Sequence, residues 1–107
     1  MQTVSIDAKP DGVLDVVLRG EIDFTNAAHI VEAVREAIAE RCPRAVRVDL
    51  AEVTFLDSSG LGVLIRAMKA AAAADASFRV ERPTDKVFDQ LEMTGLLVPF
   101  GIIEAGG

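Results

Sequence analysis

Histidine and cysteine are almost absent from the sequence, with one residue of each among 107. Cys42 has no partner within the chain, so an internal disulfide is excluded and nothing suggests a secreted disulfide scaffold. His29 and Cys42 are too few to build a zinc site of the usual His/Cys type. We therefore expect the chain to hold neither a metal ion nor a cofactor.

Aromatic residues and positive charges are also scarce. The chain has no Trp or Tyr and five Phe, and 17 acidic residues outnumber 11 basic ones, which gives a net charge of −6. Nucleic-acid binders neutralise phosphates with basic side chains and often stack bases on aromatic rings. The composition thus disfavours a nucleic-acid or anionic-membrane surface. It fits either a protein partner, for example a basic one, or simple solubility.

Long apolar runs are missing as well. No stretch approaches the roughly 20 apolar residues that a membrane-spanning helix needs. The N-terminal segment MQTVSIDAKPDG has neither the basic start nor the apolar centre of a signal peptide. We therefore expect a cytoplasmic location and no membrane partner. Half of the residues are hydrophobic, which is enough to build the core of one compact domain at this length.

Hydrophobic periodicity predicts strands that alternate with helices. Apolar and polar residues alternate in VLDVVLRG, as in a strand, whereas apolar residues recur every three or four positions in TNAAHIVEAVREAIAE, as in a helix. The predicted elements, in chain order, are TVSID, VLDVVLRG, TNAAHIVEAVREAIAE, RAVRVDL, LGVLIRAMKAAAAADA, SFRVE, PTDKVFDQLEMTG and LLVPFGII. The last of these is predicted to be a strand or an extended tail.

The predicted order of elements is β-β-α-β-α-β-α-β. Pro10, Asp11 and Gly12 separate the first two strands and favour a hairpin between them. Strands that are joined through helices form a parallel sheet. The predicted fold class is therefore α/β, a single domain with a mixed, mostly parallel β-sheet backed by helices on one side.

The stretch FLDSSGLG, residues 55–62, lies where the third strand meets the second helix. Asp57 or Ser58 could simply cap this helix, with the glycines permitting a tight turn. However, two hydroxyls follow the acid, and Gly60 and Gly62 each cost about 1 kcal/mol relative to Ala inside a helix. We interpret the glycines as leaving the first turns of the helix bare, so that another protein surface, such as a kinase, can approach the hydroxyls.

Phosphorylation at this place has a definite physical outcome. It adds about −1.5 to −2 charges at pH 7, and a helix N-terminus tolerates them because it offers free N–H groups and a positive dipole end. Asp57 and the net charge of −6 would oppose the added charge. The fold should survive while a docking surface around the glycines is blocked, which describes a binding switch.

Competing chemistries find less support in the residues. A serine hydrolase needs a histidine base and a G-x-S-x-G turn, and DSSGLG does not match that turn. A P-loop needs a lysine directly after its glycines, and none follows here. His29 on the first helix is interpreted as a surface residue. The segment GEID, residues 20–23, is a second polar junction, in which Asp23 can accept backbone N–H groups. If both junctions lie at one end of the sheet, Asp23 and Ser58 share one surface. Asp23 and Asp57 could also be imagined as a pair of catalytic carboxylates, but no other feature of the sequence supports catalysis by them.

Three segments of the chain resemble a known family. VTFLDSSGLGVLI resembles the phosphorylation motif of the anti-sigma factor antagonists, the bacterial STAS domains. LRGEID resembles the motif that ends their second strand, and VFDQLEMTGL resembles their third-helix signature. The resemblance implies a STAS domain over residues 3–103, followed by a short C-terminal tail, 104–107. Family members often continue into a further helix, so we expect that helix to be absent or the C-terminal part to dock differently.

The resemblance also implies a function. Unphosphorylated members bind an anti-sigma factor that is also a serine kinase using ATP, which releases a sigma factor, and a PP2C-type phosphatase resets the switch. Carried over by position, the phosphorylated serine is Ser58, and the protein itself is not an enzyme. The residues expected in the partner-binding surface are Asp23, Asp57, Ser59, Gly60, Leu61 and Gly62.

Two other functions remain open at this point. The chain could be a constitutive STAS subunit of a transporter-associated or stressosome-type complex, in which apolar contacts around Leu61 matter more than the Ser58 hydroxyl. It could also bind a nucleotide, although the sequence supplies neither a phosphate-loop lysine nor an aromatic clamp. If binding to the partner depends on phosphorylation, the switch is favoured over the constitutive subunit. If ATP or GTP stabilises the protein against thermal unfolding, nucleotide binding is favoured.

Overall fold

Strands and helices alternate in the computed structural model of the protein, which describes residues 3–103. Their bounds in chain order are β1 (Val4–Ala8), β2 (Val13–Ile22), α1 (Ala27–Arg41), β3 (Ala45–Leu56), α2 (Ser58–Ala73), β4 (Ser77–Glu81) and α3 (Asp85–Met93). Each element overlaps a segment whose periodicity predicts it, but β3 continues to Leu56, beyond the predicted RAVRVDL, and α2 begins at Ser58, three residues before the predicted helix.

The four strands form one sheet in the order β1-β2-β3-β4. β1 pairs antiparallel with β2, which confirms the predicted hairpin, whereas β2–β3 and β3–β4 are parallel. The buried side chains of adjacent strands are in register, as in the pairs Leu14–Val46 and Val16–Val48. The mixed, mostly parallel sheet is therefore confirmed.

The two faces of the sheet differ in chemistry because side chains alternate along each strand. One face packs against the helices in a single core, whose members include Leu18, Ile30, Leu50 and Leu64. The other face carries charged pairs: the Arg47 guanidinium donates two hydrogen bonds to Asp15, at 2.6 and 3.0 Å. These bonds lower the pKa of the Asp15 carboxyl. The charged face explains why the helices lie on one side only.

The last apolar segment departs from its prediction. Residues 96–103 form successive turns instead of a strand, with backbone hydrogen bonds such as Phe100 N to the Leu96 carbonyl. Phe100 is fully buried, its ring lies edge-on to that of Phe78 with centroids 5.9 Å apart, and its carbonyl accepts a hydrogen bond from Val80 N. Because Phe100 is buried against Phe78, this segment forms turns, whereas its apolar composition predicted a strand or an extended tail. The predicted tail, 104–107, lies outside the described residues.

The C-terminal end of α1 provides a first prediction, about stability. Cys42 caps this helix in the left-handed conformation (φ 46°, ψ 55°), which a side chain with a Cβ disfavours. Since the Cys42 side chain is exposed, Cys42→Gly is expected to raise the free energy of unfolding by about 0.5–1 kcal/mol. Urea denaturation would measure this change. Cys42→Ala keeps the strain and serves as the control; equal stability of the two variants would contradict the prediction.

Candidate functional site

The two polar junctions lie side by side at one end of the sheet. β2 and β3 are parallel and end together, with Ile22 paired to Leu56. The carbonyl of Ile22 then accepts a hydrogen bond of 3.3 Å from the N–H of Asp57. The residues that follow these strands, Asp23 and Ser58, therefore belong to one end of the molecule.

Asp57 is the N-cap of α2. Its backbone is extended, and its side chain accepts a hydrogen bond of 2.9 Å from the N–H of Gly60. Ser58 is the first residue of the helix and is exposed, and its hydroxyl makes no hydrogen bond to any other residue within 3–103. The capping role predicted as an alternative thus belongs to Asp57, which leaves the Ser58 hydroxyl open to solvent.

The two glycines of this stretch have different environments. Gly60 is buried, and a methyl group on its Cα would lie 2.5 Å from the carbonyl oxygen of Ile22 and 2.8 Å from Cδ2 of Leu56. Gly62 is half-buried, and a methyl group there would have no neighbour within 4 Å outside the adjoining part of α2, among the residues the structure describes. The interpretation of Gly60 as bare surface is therefore wrong, because this glycine lets α2 pack against the end of β2. Only Gly62 leaves the helix open.

Gln90 of α3 supports the same junction from the side, and the sequence carried no signal for it. Its side-chain amide donates a hydrogen bond of 2.8 Å to the carbonyl of Leu56, the last residue of β3. Its own oxygen is buried and accepts no hydrogen bond within residues 3–103. A glutamine in a short amphipathic helix is an ordinary surface residue in sequence, so only the fold identifies this contact.

Asp23 organises the turn between β2 and α1. Its carboxylate accepts hydrogen bonds from the N–H of Thr25, at 2.9 Å, and from the Thr25 hydroxyl. Asn26 completes the turn, since its side chain accepts from the N–H of Asp23 at 3.1 Å and donates to the carbonyl of Glu21 at 2.9 Å. Asp23 therefore has the local backbone role predicted as the alternative for GEID, at the edge of the Ser58 surface.

The hydrogen bonds to Asp23 give a prediction about pH. The pKa of the Asp23 carboxyl lies below its ordinary value, chiefly because of the Thr25 hydroxyl and then the Thr25 N–H. A lowered pKa means that ionised Asp23 stabilises the fold at neutral pH, and that this contribution is lost as the pH falls from the unfolded pKa, about 4, through the folded pKa. Thr25→Ala is expected to raise the Asp23 pKa in an NMR titration, whereas Thr25→Ser should keep it low. An unchanged pKa in Thr25→Ala would contradict this assignment.

Phe24 is the most conspicuous residue that sequence reasoning missed. It lies in the turn between Asp23 and Thr25, and 77% of its surface is exposed. The only signal in the sequence is an aromatic residue inside the otherwise polar run DFTN. The remaining predicted site residues are half-buried around the start of α2, namely Asp57, Ser59, Leu61 and Gly62.

Other kinds of site find no support in the described residues. No group of three or more His, Cys, Asp or Glu side chains within 3–103 could hold a metal ion. His29 is exposed on α1, as its interpretation as a surface residue predicts. Among the described helices, none combines the length and the apolar character required to cross a lipid bilayer.

Comparison with known proteins defines the family. The model of the STAS domain family matches residues 6–104. The chain belongs to the STAS family. An anti-sigma-B factor antagonist of Listeria monocytogenes is 31% identical to this STAS domain over 99 residues, which are 88% of this chain and 82% of that protein. The resemblance seen in the three sequence motifs is thereby confirmed.

Solved structures share the fold of this STAS domain. The crystal structure of an anti-sigma factor antagonist from Mycobacterium paratuberculosis superposes with a TM-score of 0.79 at 30% identity, over 92% of this chain and 81% of that one. SpoIIAA of Bacillus in its phosphorylated form superposes with a TM-score of 0.72 at 20% identity, over 91% of this chain and 86% of that one. The second likeness shows the fold alone.

Proposed function

We propose that this STAS domain is a cytoplasmic anti-sigma factor antagonist without enzymatic activity of its own. In its unphosphorylated form it binds an anti-sigma factor that is also a serine kinase, and so releases a sigma factor. Phosphorylation of Ser58 ends this binding, and a PP2C-type phosphatase restores it. The observation that carries the proposal is the exposed Ser58 hydroxyl at the start of α2, beside the Asp23 turn.

The position of Ser58 explains why a phosphate is compatible with the fold. The first N–H groups of a helix have no partner within the helix, and here Asp57 satisfies only that of Gly60. Within residues 3–103 the N–H groups of Ser58 and Ser59 donate no hydrogen bond, so both are available to a phosphate, which the helix dipole also favours. Phosphorylation should thus leave the domain folded.

The same position explains why a phosphate prevents binding. A kinase partner must bring the terminal phosphate of ATP to the Ser58 oxygen, so its nucleotide lies against the start of α2 during recognition. Once Ser58 carries about −1.5 to −2 charges, two phosphates face each other across the interface, and Asp57 adds to the repulsion. Leu61 and Gly62 would contact the partner next to the serine, while Gly60 shapes the surface from inside.

The proposal is tested by affinity capture from lysate of the native cell with two baits, Ser58→Ala and Ser58→Asp. We expect Ser58→Ala to retain an anti-sigma factor with kinase activity and Ser58→Asp to lose it. Ser77→Asp is the matched control, because Ser77 is also exposed but starts β4 at the opposite end of the parallel strands. Identical partners on all three baits would contradict the switch and favour a constitutive STAS subunit.

A further inference from the structure

A large apolar side chain projects into solvent beside the proposed switch. Phe24 is 77% exposed, although burying a phenyl side chain is worth about 1.5–3 kcal/mol. Single exposed apolar residues are common on protein surfaces and need no explanation by themselves. The surroundings of Phe24, however, differ from those of an incidental surface residue in three respects.

First, the turn that carries Phe24 is held by hydrogen bonds on both sides of it. Asp23 binds the N–H and hydroxyl of Thr25, and Asn26 binds the N–H of Asp23 and the carbonyl of Glu21. The carbonyl of Asp23 accepts further bonds from the N–H groups of Asn26 and Ala27. The backbone that presents the ring is thus pre-organised, so little ordering would be required on binding.

Second, this turn adjoins the start of α2. Ile22 lies two residues before Phe24, and its carbonyl oxygen accepts the N–H of Asp57 and limits the side chain tolerated at Gly60. A partner large enough to surround the Ser58 hydroxyl would therefore meet the Phe24 turn as well.

Third, the two segments that supply the Phe24 turn and the start of α2 are acidic. Residues 20–34 and 53–65, which supply the Phe24 turn and the start of α2, contain no Lys or Arg. Their acidic residues form no ion pair within the described part of the chain: Glu21, Asp23, Glu32 and Asp57. α3 adds Lys86, which lies 5.4 Å from the centre of the Phe55 ring. An apolar side chain flanked by acidic residues, as Phe24 is by Glu21 and Asp23 along the chain, is complementary to an apolar pocket with a basic rim.

We propose that Phe24 is the apolar anchor with which this chain docks on its anti-sigma factor. The phenyl ring enters an apolar pocket of that protein, and basic side chains at the rim of the pocket face Glu21 and Asp23. Aromatic anchors of this kind contribute most of the binding energy of many interfaces. The inference rests on the proposed function and adds to it the residue that holds the partner and the chemistry of the partner's surface.

The test uses the anti-sigma factor recovered on the Ser58→Ala bait, expressed and purified. Phe24→Ala is expected to weaken its binding about thirtyfold, whereas Phe24→Leu, which keeps an apolar side chain, should weaken it only severalfold. Ile103→Ala is the matched control: Ile103 is also an exposed apolar residue, at 47%, but it lies on the C-terminal segment, away from α2. Its affinity should equal that of the unchanged protein. Thermal unfolding should be the same for all variants, because both side chains are exposed.

The contribution of the acidic residues beside Phe24 is tested by Glu21→Lys. Because like charges would then meet, this variant should bind about tenfold more weakly at low salt, and the loss should shrink as the ionic strength rises. Phe24→Ala should show no such dependence on salt, since it removes an apolar contact.

The outcomes separate the inference from the proposed function. Full binding of Phe24→Ala together with loss of Ser58→Asp binding would overturn the anchor and leave the switch intact. Full binding by both variants, or capture of no anti-sigma factor by Ser58→Ala, would overturn the switch and the anchor with it. Loss of binding by both, with normal binding by Ile103→Ala, supports the two proposals together.

Discussion

Gly60→Ala is expected to lower the free energy of unfolding by about 2–3 kcal/mol, as overpacking of a filled core does. The added methyl group would lie 2.5 Å from the carbonyl oxygen of Ile22. That oxygen belongs to the backbone of β2 and is already bonded to the N–H of Asp57, so it cannot move aside as a flexible side chain would. The start of α2 must shift instead, and the Asp57 cap with it.

Gly62→Ala is the matched control for this prediction. It introduces the same methyl group two residues later on the same helix, where no atom of residues 3–103 lies within 4 Å apart from the adjoining residues and backbone of α2 itself. Helix propensity then dominates, and we expect a gain of up to about 1 kcal/mol. Urea denaturation of both variants measures the two changes. If Gly60→Ala were as stable as Gly62→Ala, the close approach of α2 to β2 would not exist in solution.

Phosphoserine at position 58 is expected to weaken binding of the anti-sigma factor at least about a hundredfold, the size of effect that a misplaced interfacial charge produces. It should leave the midpoint of thermal unfolding unchanged or slightly raised, because a phosphate at the first residue of α2 meets free N–H groups and the positive end of the helix dipole. Calorimetric titration of the purified partner, with protein carrying phosphoserine at this position, gives the affinity.

Phosphoserine at position 77 is the control that distinguishes a direct contact of the phosphate with the partner from a general effect of the added negative charge on affinity. Ser77 is exposed at the start of β4, whereas Ser58 lies beyond the carboxyl end of β3. The two modified proteins carry the same added charge at opposite ends of the sheet. Equal losses of affinity would indicate long-range repulsion by an acidic protein; a loss confined to position 58 indicates a direct contact.

The sequence was sufficient for most of the fold because each element has a local pattern. Alternation along VLDVVLRG and RAVRVDL places Leu14 and Val46 on the buried face, and the three-and-four spacing of α1 buries Ile30 and Val34. The C-terminal segment 96–103 was wrongly predicted because its conformation depends on a distant contact, that of Phe100 with Phe78.

Only one aspect of the site could be predicted from the sequence: the ends of two parallel strands place the residues that follow them at the same end of the sheet. Asp23 and Ser58 were expected to share one surface if both junctions lay at one end of the sheet, and both junctions do lie at one end. Gly60 and Gly62, by contrast, look alike in sequence, since the carbonyl of Ile22 that distinguishes them is 38 positions away in the chain. Phe24 and Gln90 belong to no periodic pattern, so neither residue was expected to have a role.

The hydrogen bond from Gln90 to Leu56 also bears on aggregation. β4 pairs only with residues 45–49 of β3, so the following residues, 50–56, have no strand partner on that side within the described chain. An unpaired edge of this kind invites a strand from another molecule, and covering it with a helix is one way in which proteins prevent this. α3 lies at that edge through Gln90. Fraying of this nine-residue helix would uncover LAEVTFL, a segment rich in β-forming residues, and would leave this edge open to a strand from another molecule.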